Sequence, residues 1–215
     1  MARLLVFDLD GTLVDSSRDL AAATNAALRR VAPGGAPIPL DKVCTFVGNG
    51  ARVLIERSLR HAGIDRAVDD VLPVFLECYE QCLLDTTRPY PGIPEALGGL
   101  AGPPLAVLTN KPGPLARKLL EGLGLAPRFA RVLGAWDVTE RKPDPKGLEL
   151  LIREQGATPQ ETWMIGDSPV DVKTARAAGV RVAGVLWGLA PEALRQERPD
   201  RLFAEARELL ALADE

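Results

Sequence analysis

The sequence predicts an α/β protein, a doubly wound, Rossmann-like parallel sheet with an α-helical segment inserted into it. Apolar runs of strand length recur along the chain, and helix-like stretches separate the later runs. The runs lack strict alternation of apolar and polar residues, which is typical of parallel strands buried on both faces. Residues 8–104 contain helix-like stretches but no comparable run, so an insertion interrupts the alternation once.

Strands and helices alternate in the predicted core from its second strand onward. The predicted strands cover 4–7, 105–108, 131–133, 163–165 and 180–186. The predicted helices between them cover 114–123, 145–155 and 170–178, and Gly179 follows the last one as a typical C-terminal residue. This order predicts right-handed β-α-β crossovers and therefore a parallel sheet.

A helical cap domain is predicted between the first two strands. Its helices would cover 19–31, 51–61 and 69–84, and hinge-like segments bound it at 15–17 and 86–92. We therefore predict an α/β core made of residues 1–15 and 88–215, with residues 16–87 as the inserted cap. The alternative is one domain with additional peripheral helices.

Composition argues against several classes of function. The 215 residues carry a net charge of −3, whereas a general nucleic-acid binder usually presents a basic face. No apolar run reaches the ~18 residues of a membrane span, and no signal peptide is visible before the first strand. We expect a cytoplasmic protein without nucleic-acid or membrane partners, either a monomer or a homodimer.

The cysteines are predicted to be buried free thiols. Cys44, Cys78 and Cys82 are odd in number and form no CxxC pair, and the chain has one histidine, His61. A disulfide or a metal site is the alternative.

Polar residues follow four of the predicted strands, at the sheet edge where ligands bind in doubly wound folds. These residues are Asp8 and Asp10 after the first strand, Thr109, Asn110 and Lys111 after the second, Lys142 downstream of the third, and Asp167 and Asp171 after the fourth. We expect all four sets to converge on one edge.

Clustered aspartates at this edge predict a cation site and a nucleophile. Asp8, Asp10 and Asp167 offer hard oxygen ligands, which favour Mg²⁺. A threonine hydroxyl, Asn110 and Lys142 can donate to the oxygens of a substrate phosphate. Asp8 can attack phosphorus, while Asp10 can protonate the leaving group and later deprotonate water.

Four motifs resemble those of the haloacid dehalogenase-like superfamily. They are "DLDGTLVDS", "LTN", "RKPDP" and "GDSPVD", in the family's order. The resemblance implies a Mg²⁺-dependent phosphohydrolase with a helical cap, in which Asp8 is the nucleophile and a metal ligand. It further implies that Asp10 is the general acid/base and binds the metal through its backbone carbonyl. Thr109 and Lys142 would bind the phosphoryl group. Asp167 would bind the metal, and Asp171 would order the groups around the metal ligands.

Further stretches are similar to bacterial phosphoglycolate phosphatases within that superfamily. They are "FVGNGARVLIERSL", "YPGI", "LTNKP" and "ERKPDPKGLEL". This similarity implies hydrolysis of a small phosphate monoester, with 2-phosphoglycolate favoured. Other phosphatases of the superfamily are alternatives (pyrophosphatase, sugar phosphatase, nucleotidase), and a non-catalytic interaction protein is a further one. The presence of Asp10 disfavours a dehalogenase.

Three further residues are predicted to bind substrate. Thr12 is expected to bind substrate from the first motif. Asn49 and Arg52 flank the start of the helix at 51 and are expected to bind the distal part of the substrate, although a simple turn is the alternative there. Trp187 follows the last predicted strand and either borders the cleft or packs in the core.

Overall fold

A computed structural model gives the structure of the chain and describes residues 3–213. The chain divides into two compact units. One contains the chain up to Asp15 and again from Pro89 onward, and the other is Ser16–Arg88. Within residues 3–213, no helix combines the length and apolar character needed to cross a membrane.

Six of the strands form a parallel sheet in the first unit, which confirms the predicted α/β class. The strands of the chain are β1 (Leu4–Phe7), β2 (Val14–Asp15), β3 (Arg88–Pro89), β4 (Leu105–Pro112), β5 (Arg131–Ala135), β6 (Thr162–Gly166), β7 (Arg181–Val185) and β8 (Arg201–Phe203). The sheet has the order β5-β4-β1-β6-β7-β8, and its neighbouring strands are parallel. Strand β1 is therefore central, with β4 and β6 on its two sides.

Helices connect these strands and also make up the second unit. They are α1 (Ser17–Val31), α2 (Leu40–Cys44), α3 (Ala51–Ala62), α4 (Val68–Cys82), α5 (Ile93–Gly99), α6 (Gly113–Gly122), α7 (Lys146–Glu154), α8 (Pro169–Ala177) and α9 (Pro191–Gln196). Short 3₁₀ helices cover Ala126–Arg128, Pro159–Glu161 and Ala206–Ala213. In the second unit, α4 packs against both α1 and α3.

The core of the first unit lies on both faces of β1. Leu4 and Val6 join an apolar cluster to which α7 and α8 contribute Leu148 and Val172. On the other face, Phe7 makes an edge-to-face contact with Phe129. All residues of β1 are buried, which explains why its sequence lacks polar alternation.

The structure corrects several predicted elements. Strand β8 was missed because it is short, and two of its three residues are exposed. The short helices α2, α5 and α9 were also missed. Residues Thr109–Lys111 lie within β4 rather than after it, since β4 continues past an irregularity and pairs again with β5 at Pro112. The bounds of the other predicted strands and helices agree with the observed ones to within two residues.

The cysteines are free thiols, as predicted, but they are not all buried. Cys78 is buried, whereas Cys44 and Cys82 are partly exposed. Burial, together with the negative charge of Asp19, raises the pKa of the Cys82 thiol to about 11, which keeps it in the unreactive protonated form.

One buried carboxylate ties the two ends of the second unit together. Asp19, in the first turn of α1, accepts hydrogen bonds from the backbone and hydroxyl groups of Thr86 and Thr87, at 2.5–3.1 Å. Burial alone would raise the pKa of Asp19, but these hydrogen bonds hold it below its ordinary value. These charge-assisted hydrogen bonds join residues near the first and the last residue of the second unit.

We predict that Asp19→Ala lowers the free energy of unfolding by about 2–4 kcal/mol at pH 7, because it leaves several donors without their acceptor. Since the folded-state pKa of Asp19 is lowered, its contribution is present above the unfolded value of 3.8 and is lost as the pH falls through the folded value. Urea unfolding at pH 7 tests the change. Asp65→Ala, an exposed position in the same unit, is the control. A loss below about 0.5 kcal/mol, the range of ordinary surface changes, would contradict the prediction.

Candidate active site

The order of the central strands brings the predicted site residues together. Asp8 directly follows β1, Asp167 directly follows β6, and Thr109 lies in β4 two residues after Val107, which pairs with Phe7. These three strands are neighbours and parallel, so their carboxyl ends meet at one edge of the sheet. The backbone N–H of Asp8 donates to the Ile165 carbonyl of β6, which fixes the register of the two carboxylates.

Three buried carboxylates form a compact cluster at this edge. Asp8, Asp167 and Asp171 each place a carboxylate oxygen within 4.8 Å of the others. Side chains of this kind bind Mg²⁺ through oxygen, and neither cysteine nor histidine takes part. The donor set therefore fits the magnesium ion that the sequence predicts.

The ammonium group of Lys142 lies between two of these carboxylates. Its Nζ is 2.8 Å from Asp8 Oδ1 and 2.7 Å from Asp171 Oδ1, and only 1% of its side chain is exposed. The amide of Asn110 donates to the Lys142 carbonyl at 2.9 Å, which anchors the loop before α7. Lys142 is thus held in place at both its backbone and its side chain.

Asp171 positions Lys142 from the first turn of α8. While Oδ1 accepts from Lys142, Oδ2 accepts from the backbone N–H of Ser168 at 3.1 Å and from its hydroxyl at 2.7 Å. Ser168 and Asp171 form a capping box at the start of α8. Asp171 thus holds both the Lys142 ammonium group and the start of α8, while its role behind the metal ligands stays a prediction.

Asp167 accepts hydrogen bonds from two different loops. Its Oδ1 accepts from the Thr12 hydroxyl at 3.2 Å, and its Oδ2 accepts from the backbone N–H of Leu189 at 2.8 Å. The Thr12 hydroxyl, expected to bind substrate, is therefore directed at a carboxylate of the cluster. Each carboxylate oxygen has two lone pairs, so Asp167 retains capacity for a further ligand.

Burial of like charges raises two pKa values in the cluster. Burial raises the pKa of Asp167 to about 8, and the carboxylates of Asp171 and Asp8 add to the effect. Burial also raises the pKa of Asp8 to about 6, although Lys142 opposes this change. For Lys142, burial favours the neutral form, but Asp171 and Asp8 outweigh it and raise the pKa. The cluster therefore has more negative charge than Lys142 compensates.

A second ion pair lies beside the cluster, and the sequence analysis did not assign it. Lys111 Nζ is 2.7 Å and 3.0 Å from the two carboxylate oxygens of Asp10, and 3% of the Lys111 side chain is exposed. The carboxylate of Asp10 is thus oriented by Lys111 and is not part of the three-carboxylate cluster. The position of Lys111 directly after Thr109 and Asn110 was the available signal.

The remaining predicted residues belong to different units of the chain. Thr109 is buried, and its hydroxyl accepts from the backbone N–H of Lys111 at 3.2 Å. Asn49 and Arg52 belong to the second unit, where Arg52 forms an ion pair with Asp69. Their assignment to substrate binding stays a prediction, as do the metal and substrate roles of the other site residues.

Comparison with known proteins identifies the family of the chain. Residues 5–185 match the model of the haloacid dehalogenase-like hydrolase family. The chain is 36% identical to Phosphoglycolate phosphatase 1 of Pseudomonas aeruginosa, over 100% of this chain and 81% of that protein. It is 36% identical to Phosphoglycolate phosphatase of Escherichia coli, over 97% and 91% of the two chains.

A solved structure agrees with these relatives. A predicted phosphoglycolate phosphatase from Haemophilus somnus is 32% identical and superposes with a TM-score of 0.90, over 98% of this chain and 97% of that one. The family resemblance drawn from the four motifs is confirmed.

The excess of negative charge predicts that Asp8→Asn stabilises the metal-free protein. The folded-state pKa of Asp8 is raised. The favourable contribution of Asp8 to the free energy of unfolding is therefore fully present below its ordinary pKa of 3.8, and it is lost as the pH rises through about 6. At pH 8 in EDTA we expect a gain of about 1–3 kcal/mol, or about 2–10 °C in Tm. Asp65→Asn, the same chemical change at an exposed position, should leave Tm unchanged.

Lys142→Met should have the opposite effect in the same thermal melts. It removes the ammonium group shared by two buried carboxylates, and breaking such a pair costs about 3–5 kcal/mol. Equal signs for the two variants would contradict the charge argument.

Proposed function

The chain belongs to the haloacid dehalogenase-like hydrolase family, and from this membership we propose that it hydrolyses small phosphate monoesters with the help of Mg²⁺. The observation that carries the proposal is the position of Asp8, which lies within the carboxylate cluster and 2.8 Å from the Lys142 ammonium group. A carboxylate able to act as a nucleophile, oxygen atoms able to bind a cation and a buried ammonium group thus lie at one sheet edge. Phosphoryl transfer depends on this combination.

We propose 2-phosphoglycolate as the favoured substrate. The support is the identity of about a third of the residues with phosphoglycolate phosphatases over nearly the whole chain. Pyrophosphatase, sugar phosphatase and nucleotidase activities are the alternatives that a substrate panel would distinguish. The cytoplasmic location and the monomeric or homodimeric state stay predictions.

In the proposed first step, an Asp8 carboxylate oxygen attacks phosphorus and the bond to the leaving alkoxide breaks. Among residues 3–213, the hydrogen bonds described for the Asp8 side chain fall on Oδ1, from Leu9 N–H and Lys142. Oδ2 is therefore the oxygen left for a ligand or for attack. Asp10, held by Lys111, donates a proton to the alkoxide.

In the proposed second step, water attacks the phosphorus of the aspartyl phosphate, and Asp10 accepts the proton of that water. Phosphate leaves and Asp8 is restored, so atoms and protons balance over the cycle. Asp8 and Asp167, with the Asp10 carbonyl, would hold Mg²⁺, which when bound would neutralise part of the phosphoryl charge. Lys142, Thr109 and Asn110 would orient the phosphoryl oxygens.

We expect phosphate release from 2-phosphoglycolate in the presence of Mg²⁺ and its loss in EDTA. Asp8→Asn should lower kcat/KM by at least about 10³-fold, because no other group replaces the nucleophile. Asp65→Asn should retain the parent activity. Turnover of Asp8→Asn within tenfold of the parent would overturn the covalent mechanism, whereas equal rates on 2-phosphoglycolate and ethyl phosphate would overturn only the substrate assignment.

The role of Asp10 as a general acid predicts an effect that depends on the leaving group. Asp10→Asn should lower kcat/KM about 10²–10⁴-fold for alkyl phosphates. The loss for p-nitrophenyl phosphate should be smaller, since p-nitrophenolate leaves without protonation. Steady-state rates on both substrates provide the measurement, and equal losses would indicate that Asp10 acts only through its charge or its backbone.

A further inference from the structure

The segment that follows β7 packs directly on Asp167, and we name residues 187–189 the Asp167 strap. Leu189 N–H donates to Asp167 Oδ2 at 2.8 Å. A Cβ atom at Gly188 would lie 2.2 Å from Asp167 Cβ and 2.5 Å from the Gly11 carbonyl oxygen, distances at which atoms overlap. The strap therefore requires glycine at its centre to approach both Asp167 and the loop after β1.

Trp187 connects the strap to the other side of Asp167. Its indole Nε1–H donates to the Thr12 carbonyl at 3.0 Å, and the Thr12 hydroxyl donates to Asp167 Oδ1 at 3.2 Å. One oxygen of Asp167 is thus held by the strap directly, and the other is held through Thr12. In the hydrogen bonds described for residues 3–213, the side chain of Trp187 is linked to the carboxylate through this second route.

We propose that Trp187 is a positioning residue for the cation site, acting through Thr12 on the orientation of the Asp167 carboxylate. The proposal rests on the Mg²⁺ site of the proposed function. Mg²⁺ requires nearly ideal octahedral geometry, so its affinity depends on how well each ligand is oriented. Groups that orient metal ligands typically change metal affinity about 10–100-fold when they are removed.

The variant Trp187→Phe tests the proposal because it removes the N–H donor and keeps an aromatic ring, although a smaller one. Isothermal titration of the substrate-free protein with MgCl₂ should give a Kd about 3–10-fold higher than that of the parent, less than for a group that contacts the ligand itself. At saturating Mg²⁺, kcat should stay within about twofold of the parent, since no reacting group has changed. Trp136→Phe is the matched control, because Trp136 is 66% exposed, and it should leave the Kd unchanged.

A double-mutant cycle tests whether Trp187 acts through Thr12. Thr12→Val removes the hydroxyl that contacts Asp167 and should raise the Kd about 10-fold or more. Adding Trp187→Phe to Thr12→Val should then change the Kd by less than about twofold, because residues in one hydrogen-bond network are not additive. Independent, multiplicative effects of the two changes would contradict the proposed route.

The outcomes separate this inference from the proposed function. A parent protein that binds no Mg²⁺ would overturn the cation site, and with it this inference. Normal Mg²⁺ binding by the parent together with an unchanged Kd in Trp187→Phe would overturn only the role of Trp187. A many-fold fall in kcat at saturating Mg²⁺, or failure of Trp187→Phe to fold, would also overturn it, because the proposal assigns Trp187 to cation positioning alone.

Discussion

The contact of one buried ammonium group with two buried carboxylates is the interaction on which the site depends. Lys142 joins Asp8, which follows β1, to Asp171 in α8, and so links two separate segments of the sheet edge. Without this positive charge, burial and mutual repulsion would favour protonated carboxylates or a more open loop. The same Lys142 ammonium group contacts a carboxylate oxygen of Asp8, the proposed nucleophile. A substitution of Lys142 would therefore change both the stability of the protein and its proposed activity.

Close backbone approach is the second requirement of the site. A Cβ atom at Gly166 would lie 2.2 Å from the Asp171 carboxyl carbon, and one at Gly11 would lie 2.3 Å from Asp167 Oδ2. Gly11 also has a φ of +86°, a conformation that favours glycine. The carboxylates of Asp167 and Asp171 are therefore held against the neighbouring backbone, where little room is left for water. Burial is also the largest cause of the raised pKa of Asp167.

The sequence predicted the parallel sheet and the convergence of Asp8, Lys142 and Asp167, because strand periodicity and strand-end position are local signals with a fixed geometric consequence. It did not predict the pairing of Lys111 with Asp10 or the orientation of Thr12 toward Asp167. Those contacts depend on side-chain directions set by the irregular end of β4 and by the turn after β1. Strand β8 was missed for a related reason, since a short strand with two exposed residues leaves no apolar pattern.

Because the cluster has a net negative charge, protons and a cation would compete for its carboxylate oxygens. Asp8, Asp167 and Asp171 together carry three negative charges when ionised, and Lys142 supplies one positive charge, which leaves two. In the metal-free protein protons compensate part of this excess, since burial raises the pKa of Asp167 to about 8 and that of Asp8 to about 6. A divalent cation at the cluster would replace that compensation and release protons near neutral pH, so protons and cation compete for the same oxygens. A phosphate dianion would then meet a nearly neutral cluster instead of a strongly negative one.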